Sequence, residues 1–530
     1  MKNTAVIFSV LAGILIVQSC DMDRESPDSI RFDRAFENMD AVEALERGAY
    51  SRLRTSVNPY GVTVPDIQAD YVNAVNGYSN TYGNFYQWSF TYDASEIESM
   101  WYYMYAGISH YNFVIDGIRG KLGFEPTSSD EADLSRIKGV MHLMRAYSYS
   151  ALADRFCADY DEATARNEYT GLPLIKYYDT SIVPERATLF DTYDFILKDL
   201  DTARTCLTGI SGSCDATVLN EDCVDALEAR VYLQMDNYAE AYASAQKLTG
   251  NDTYSLVDSQ EELQSMWTDD KSTETIFQFY SSVTEVAYQW GYEFYQDYYG
   301  GTGTDQGNPF YLFTPDYIPT QTCIDMYDAA DWRRSVYFRD CDPTMLADGS
   351  LYAGMVKGIS EFARTMVVIS KFPGNPALRT SASWNYYNTW KVFRLAEMYL
   401  IEAEAAVMSG KDAATPLNEL RNHRGLPDIE GEVSLQDVKN ERYRELLLEG
   451  FRLSDLKRWN ENMSRGTAQT GATSPTGASP WYTNHGDYTT TVGRDIVKEA
   501  GDYMFVWPIP ASEIFANPQL ESQQNPGWIR

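Results

Sequence analysis

Two clusters of aromatic side chains carry the most distinctive chemistry in this sequence. Ten of the 24 residues from Tyr82 to Tyr105 are Phe, Tyr or Trp, as are ten of the 23 from Phe277 to Tyr299. Both stretches run among Gly, Asn and Thr, which favour turns and surface loops. A flat ring beside a carboxamide suits a pyranose: the sugar's C–H face stacks on the ring while Asn, Asp or Arg satisfies its hydroxyls. The run Asp70-Tyr71-Val72-Asn73-Ala74-Val75-Asn76-Gly77-Tyr78, continued to Trp88, supplies both kinds of group. Most rings in a helical protein pack inside it, and Trp101 and Tyr105, at helical spacing, are the clearest candidates for the core.

Recognisable catalytic patterns are absent from the sequence. His110, His142, His423 and His485 form no HExxH or similar metal-binding spacing, and no GxSxG elbow occurs. Gly410-Lys411-Asp412 lacks the rest of a phosphate loop, and the glycine-rich 301–307 follows tyrosines rather than a strand. A glycosidase needs two carboxylates flanking its sugar, but among 76 acidic residues candidate pairs are everywhere and single out none. Against 43 basic residues they leave a formal charge of −33. That charge repels nucleic acid and anionic headgroups and makes a neutral or cationic ligand easier to accommodate. No cysteines stand at CxxC spacing, which argues against zinc. Cys206, Cys214 and Cys223 are close enough in sequence for one disulfide in an oxidising compartment. No cofactor is implied, and a structural metal ion holding the loops is left open.

The first twenty residues, MKNTAVIFSVLAGILIVQSC, place Lys2 before an apolar run from Ala5 to Val17 and end on Ser19-Cys20. This is the layout of a secretory signal, and the run is shorter than the roughly 20 apolar residues a spanning helix needs. Val17-Gln18-Ser19-Cys20 resembles a bacterial lipobox, with Gln18 larger than usual at its place, and predicts Cys20 as the lipidated first residue of the mature chain. The acidic Asp21-Met22-Asp23-Arg24-Glu25 resembles the surface-export signal of Bacteroidota lipoproteins. The expected order is a signal peptide over 1–19, a tether over 20–38 and a folded region over 39–530.

The elements that must position the aromatic stretches are helices. Val42, Leu45, Ala49 and Leu53 recur at three- and four-residue spacing, and the same period returns over 97–118, 134–156 and 189–206. In 220–250, Ala229, Tyr232, Tyr238, Ala241, Ala245 and Leu248 stand at tetratricopeptide-repeat spacing, although Asp225 and Glu228 replace the repeat's earlier apolar residues. Small alanines let paired helices approach, and tyrosines fill the space between pairs. A looser pair runs from Val392 to His423. Residues 256–390 and 461–530 are less regular, and 466–480 is a Gly/Ser/Thr/Pro loop. Loops of that length in a compact domain usually carry function.

The C-terminal third resembles a known family. Glu441-Arg442-Tyr443-Arg444-Glu445-Leu446, then Glu449-Gly450-Phe451-Arg452, Asp455-Leu456 and Arg458-Trp459, is similar to the signature of the SusD/RagB family. Trp507-Pro508-Ile509-Pro510, Asn517-Pro518 and Asn525-Pro526-Gly527-Trp528 resemble its closing motif, and Gly171-Leu172-Pro173-Leu174 fits an earlier one. Taken by itself, 437–459 reads as structural: Glu441/Arg444, Glu449/Arg452 and Asp455/Arg458 are opposite charges at i,i+3 that can pair along a helix, and Val438, Leu446, Leu453 and Leu456 form an apolar side.

The resemblance implies a mainly α fold, a SusD-like superhelix of tetratricopeptide-like helical pairs with long irregular insertions and few short strands. Its N-terminal half would span roughly 39–255 and its C-terminal half 256–530. It further implies a non-catalytic cell-surface lipoprotein of the outer membrane, anchored by lipid alone. Such a protein captures oligosaccharide and hands it to a SusC-like TonB-dependent transporter. A peptide ligand or, more remotely, a surface glycoside hydrolase are the alternatives. In this family the ligand surface is commonly built from an N-proximal and a mid-chain loop, here about 70–95 and 285–320. The expected contacts are Asn76, Tyr78, Tyr82, Trp88, Trp290 and Tyr292, the rings stacking and Asn76 bonding hydroxyls.

Overall fold

Helical periodicity in the sequence becomes helix at each place where it is strong. The computed structural model describes residues 34–285, 291, 293–294, 297–299, 311–341, 353–355, 366–378, 387–470 and 489–528. Helix α1 (Met39–Val57) is followed by the short α2 (Thr63–Gln68) and α3 (Gly83–Tyr86), then by the long α4 (Ser95–Gly120), α5 (Ser128–Phe156) and α6 (Leu189–Leu207). The hairpin expected at 220–250 is α7 (Glu221–Gln234) and α8 (Tyr238–Thr249). Short helices α9 (Gln260–Thr268), α10 (Gln321–Asp325) and α11 (Trp332–Tyr337) precede α12 (Leu395–Ser409), α13 (Ala414–Asn422), α14 (Leu435–Glu445), α15 (Arg452–Arg458) and α16 (Ala511–Ala516).

Local chemistry sets the ends of these helices. Thr127 with Asp130, and Ser434 with Asp437, form reciprocal capping boxes at the starts of α5 and α14. Thr188 and Asn237 each accept a first-turn amide, and a cap of this kind contributes about 1 kcal/mol.

Each long helix packs on the next: α1 on α4, α4 on α5, α5 on α6, α6 on α7, α7 on α8, α8 on α12 and α12 on α13. Grouped as α1/α4, α5/α6, α7/α8 and α12/α13, these are the successive pairs of a tetratricopeptide-like superhelix. Small residues permit the approach. Ala229, Ala241 and Ala245 are wholly buried, and a Cβ on Gly139 of α5 would lie 2.7 Å from Cys206 Cβ on α6. Among the described residues no helix is long and apolar enough to cross a membrane.

The irregular regions contribute short strands: β1 (Val72–Ala74), β2 (Thr275–Gln278), β3 (Asp297–Tyr299), β4 (Tyr311–Phe313), β5 (Tyr317–Pro319), β6 (Phe338–Asp340), β7 (Ala353–Met355), β8 (Val367–Ile369), β9 (Lys391–Arg394), β10 (Met463–Ser464) and β11 (Val497–Lys498). They form small sheets, β1 with β5, β2 with β9, β6 with β8, β10 with β11, and β3–β4–β7.

Three expectations are corrected. The second helical pair starts at Leu395, because Val392 belongs to β9. No disulfide joins Cys206, Cys214 and Cys223, and all three are free thiols. Folding carries them to different surroundings: Cys214 Sγ faces the Thr253 carbonyl at 3.3 Å, whereas Cys223 is buried against the Asn220 side chain. The signature segment is not one helix, since α14 stops at Glu445 and the chain turns through Leu448 (φ 57°) and Gly450 (φ 87°) before α15. Glu441/Arg444 and Asp455/Arg458 do pair. Glu449 and Arg452, separated by the turn, do not: Glu449 binds Lys371 and Arg394, and Arg452 binds Asp70.

The buried part of this signature is a knot of charge. Glu445 Oε2 accepts from Arg333 Nη1 and Arg424 Nε, each at 2.9 Å, and Oε1 takes Arg424 Nη2 and Arg394 Nη1. Burial alone would raise its pKa, but Arg424, Arg394 and Arg333 outweigh burial and hold it well below the carboxylate range. Glu441 is likewise depressed to about 2, with Arg333 and Arg444 overcoming burial, and Glu449, Asp455 and Glu404 are lowered.

These depressed carboxylates bind fewer protons folded than unfolded. Their stabilisation is therefore complete above the ordinary carboxylate pKa and is lost as pH falls toward the folded values. Asp66, raised to about 7 by burial, is already protonated in that window and adds nothing to the loss. The expected result is a urea midpoint that drops steeply between about pH 4 and pH 2, read by far-UV circular dichroism. A flat midpoint across that range would contradict the assignment.

Candidate functional site

The N-proximal and mid-chain segments, far apart in sequence, are joined by a two-stranded ladder. β1 pairs antiparallel with β5, Val72 opposite Pro319, Asn73 opposite Ile318 and Ala74 opposite Tyr317. Just beyond β1, Val75 bridges to Thr489, and the Thr490 amide donates to the Ala74 carbonyl at 2.8 Å. The Gln469 side chain ties β5 to β8: its amide donates to the Pro319 and Val367 carbonyls and its oxygen accepts from the Val367 amide. Beneath these contacts Val75, Ile318, Cys341, Met366 and Val368 form an apolar cluster separate from the main core, with Tyr78 packed against it. The chain at 76, 316, 341, 366, 470 and 489 thus lies beside these paired strands, while the 281 end instead follows β2, which pairs with β9.

The stretch over 76–92 is held in a defined shape. Tyr78 is half-buried, its ring edge-on to Tyr317 at 5.8 Å. Its hydroxyl donates to Asn80 Oδ1 and accepts from Gln87 Nε2, both at 3.0 Å. Asn80 and Tyr82 adopt left-handed backbone angles (φ 57° and 52°), a region asparagine tolerates but a tyrosine occupies only with support from its surroundings. That support comes from the mid-chain segment: the Tyr317 hydroxyl donates to the Thr81 carbonyl, and the Thr81 hydroxyl donates to Asp316 at 2.8 Å. Burial pushes the Tyr86 and Tyr317 hydroxyl pKa values up, so both rings stay neutral.

Alongside runs a groove of about 460 Å³, lined by Asn80, Tyr82, Asn84, Thr91, Asp93 and Glu96 among others. That volume lies within the roughly 300–1,000 Å³ typical of small-molecule sites. A ring, two carboxamides and two carboxylates around one groove can stack a sugar face and accept hydrogen bonds from its hydroxyls. A more enclosed cavity of about 100 Å³ lies over Arg230, Glu397, Phe451 and Arg458. It is too small for a saccharide, and its ion pairs, Arg230 with Glu397 and Arg458 with Asp455, serve the scaffold. Among the described residues no group of three or more His, Cys, Asp or Glu is arranged to hold a metal ion.

The structure places Asn76 exposed, Tyr78 half-buried at the base of the loop, and Tyr82 on the groove. Trp88 is corrected: it is 4% exposed, with its indole N–H donating to the Gln68 carbonyl at 2.8 Å and its ring edge-on to Phe505 at 5.0 Å. Buried and hydrogen-bonded in this way, it is a core residue and offers no stacking face. Trp290, Tyr292 and Cys20 lie outside the described residues. Sequence reasoning missed Asn80, Asn84, Asp93 and Glu96. The available signal was the density of Asn and acidic residues between the tyrosines.

A family model described as "SusD family" matches residues 278–528, and a second, "Starch-binding associating with outer membrane", matches 23–233. The chain belongs to the SusD family. A SusD-like protein of Formosa agariphila is 22% identical to this SusD-family chain over 498 residues, 87% of this chain and 92% of its own length. The starch-binding protein SusD of Bacteroides thetaiotaomicron is 44% identical over a local stretch of 68 residues, 13% of this chain and 12% of its own. The crystal structure of a SusD-like carbohydrate binding protein from Bacteroides vulgatus matches with a TM-score of 0.68 at 20% identity, covering 92% of this chain and 98% of that one. Surface glycan-binding protein A from Bacteroides fluxus matches with a TM-score of 0.64 at 18% identity, covering 93% and 100%. These solved structures bear on the fold, and they share the helical scaffold described above.

Proposed function

We propose that this SusD-family protein is a non-catalytic, lipid-anchored surface protein. It captures oligosaccharide on the loop-bearing face and passes it to a SusC-like TonB-dependent transporter in the outer membrane. The observation that carries the reading is the convergence of the 76–92 stretch with the mid-chain at 316 and the C-terminal chain at 489 at the β1–β5 ladder, beside a groove of a tyrosine, carboxamides and carboxylates. Family membership and the glycan-binding names of the relatives support it. Trp290 and Tyr292 belong to the mid-chain aromatic cluster and would supply further stacking surfaces.

The test is to screen purified protein in parallel against a glycan array and a peptide library, assaying each glycan for released sugar. Retention of a glycan without turnover is expected. Released sugar would replace the reading with a hydrolase, and capture of peptides alone with a peptide-uptake protein. Tyr82→Ala and Trp290→Ala are each expected to weaken glycan binding by about 2 kcal/mol, roughly 30-fold, with little change in the urea midpoint. For the anchor, Cys20→Ala should shift the protein from the membrane to the soluble fraction. Wild-type protein on intact cells should be cut by added protease, and resistance would count against surface exposure.

A further inference from the structure

We propose that the small cavity inside the scaffold binds a halide-sized monovalent anion, held between Arg155 and Arg442 where the two halves of the chain meet. The cavity, about 100 Å³, is lined by side chains of α5 and α7 from the first half and of β9, α12, α14 and α15 from the second. It shares no lining residue with the groove beside Tyr82. A water occupies roughly 30 Å³, so the space admits one such ion with a water or two beside it. Four of the cations that line it have carboxylates of their own: Arg230 has Glu397, Lys391 has Asp270, Arg394 has Glu445 and Glu449, and Arg458 has Glu404. Arg155 and Arg442 are left with less.

Arg442, 3% exposed, donates from Nε and Nη2 to Asp455, both at 3.1 Å. Asp455 also accepts from Arg458 Nε at 2.9 Å, and Glu404 stands 3.9 Å from Arg442 Nε. Arg155, 2% exposed, gives Nη2 to the Gly450 carbonyl at 2.8 Å. Its carboxylate neighbour Asp154, 3.2 Å away, already accepts from the Ser454 hydroxyl. Nη1 of each guanidinium is buried and has no hydrogen-bond partner among the described residues. The charge of Asp66 also acts on Arg155, but its Oδ2 accepts from the Gly450 amide at 2.7 Å, and burial lifts its pKa to about 7, so near neutrality it is only partly ionised. A buried cation with an unmet donor is costly. Water answers the donor alone, whereas an anion answers the donor and the charge together, and one placed here ties α5 to α14.

The test follows the urea midpoint of the purified protein as sodium chloride or sodium bromide replaces sodium gluconate at fixed ionic strength, gluconate being too large for the cavity. Both halides are expected to raise the midpoint with a saturating dependence, and filling about nine-tenths of the sites raises the folding constant about tenfold. Arg155→Gln and Arg442→Gln should each lose that dependence, and Ser150→Ala, which removes an uncharged lining group, should keep it. Crystals grown in bromide should carry an anomalous peak within hydrogen-bond reach of both Nη1 atoms. Water alone at that place, or a peak without a halide-dependent midpoint (an adventitious ion only), would overturn the inference even if neither arginine variant folds. A halide dependence that survives both arginine substitutions would overturn it as well.

Discussion

Glu445→Ala is expected to cost about 3–5 kcal/mol, the range for removing one partner from a buried ion pair, and to lower the urea midpoint sharply. The reason is geometric. One carboxylate answers three guanidinium groups, those of Arg333, Arg394 and Arg424, all less than 2% exposed. Arg333 would keep Asp331, Arg394 would keep Glu449 and Arg424 would keep Glu274. Each would nevertheless hold a buried cation with unmet donors, against a total stability of only about 5–15 kcal/mol for a typical domain. Glu445→Gln preserves the volume and should fall between wild type and Glu445→Ala. Urea unfolding followed by circular dichroism, with exposed Asn76→Ala as the control, checks it. A midpoint for Glu445→Ala equal to that control would mean the knot contributes no stability.

Trp88→Ala is expected to destabilise by about 3–5 kcal/mol, the cost of deleting a large core ring and leaving a cavity, while ligand affinity at a temperature where the variant stays folded remains unchanged. Trp88 packs in the main core with Phe505 edge-on to it, and in the same core Phe90 stacks on Phe85, which Trp507 meets at a tilt. Its loss also strips the Gln68 carbonyl of a donor, while the Gln68 side chain still receives the Trp507 indole at 2.9 Å. Tyr82→Ala, on the groove, should show the reverse pattern. Unaltered stability with lost binding in Trp88→Ala would return this residue to the ligand surface.

The elements were legible because their information is local. Helices α4, α5 and α6 follow from three- and four-residue apolar spacing, and α7 and α8 from alanines that need a close neighbour. The signature charges were legible as structural, and two of the three expected helical pairs form. The third failed at the left-handed turn through Leu448 and Gly450, which sends Glu449 to Lys371 and Arg394.

The site divides in the same way. Composition located the N-proximal loop as an aromatic and carboxamide surface, but side-chain type does not say which way a ring faces. Packing on Phe505 and the hydrogen bond to the Gln68 carbonyl hold Trp88 inside, while Tyr82, next to the Thr81 that Asp316 and Tyr317 hold, lines the groove. The sequence by itself determined the helical scaffold, the family and the chemistry of its loops, because periodicity and composition are properties of neighbouring residues. Only the tertiary structure decided which loops meet and which rings remain accessible, because strand pairing between residues hundreds of positions apart depends on the packing of the whole chain.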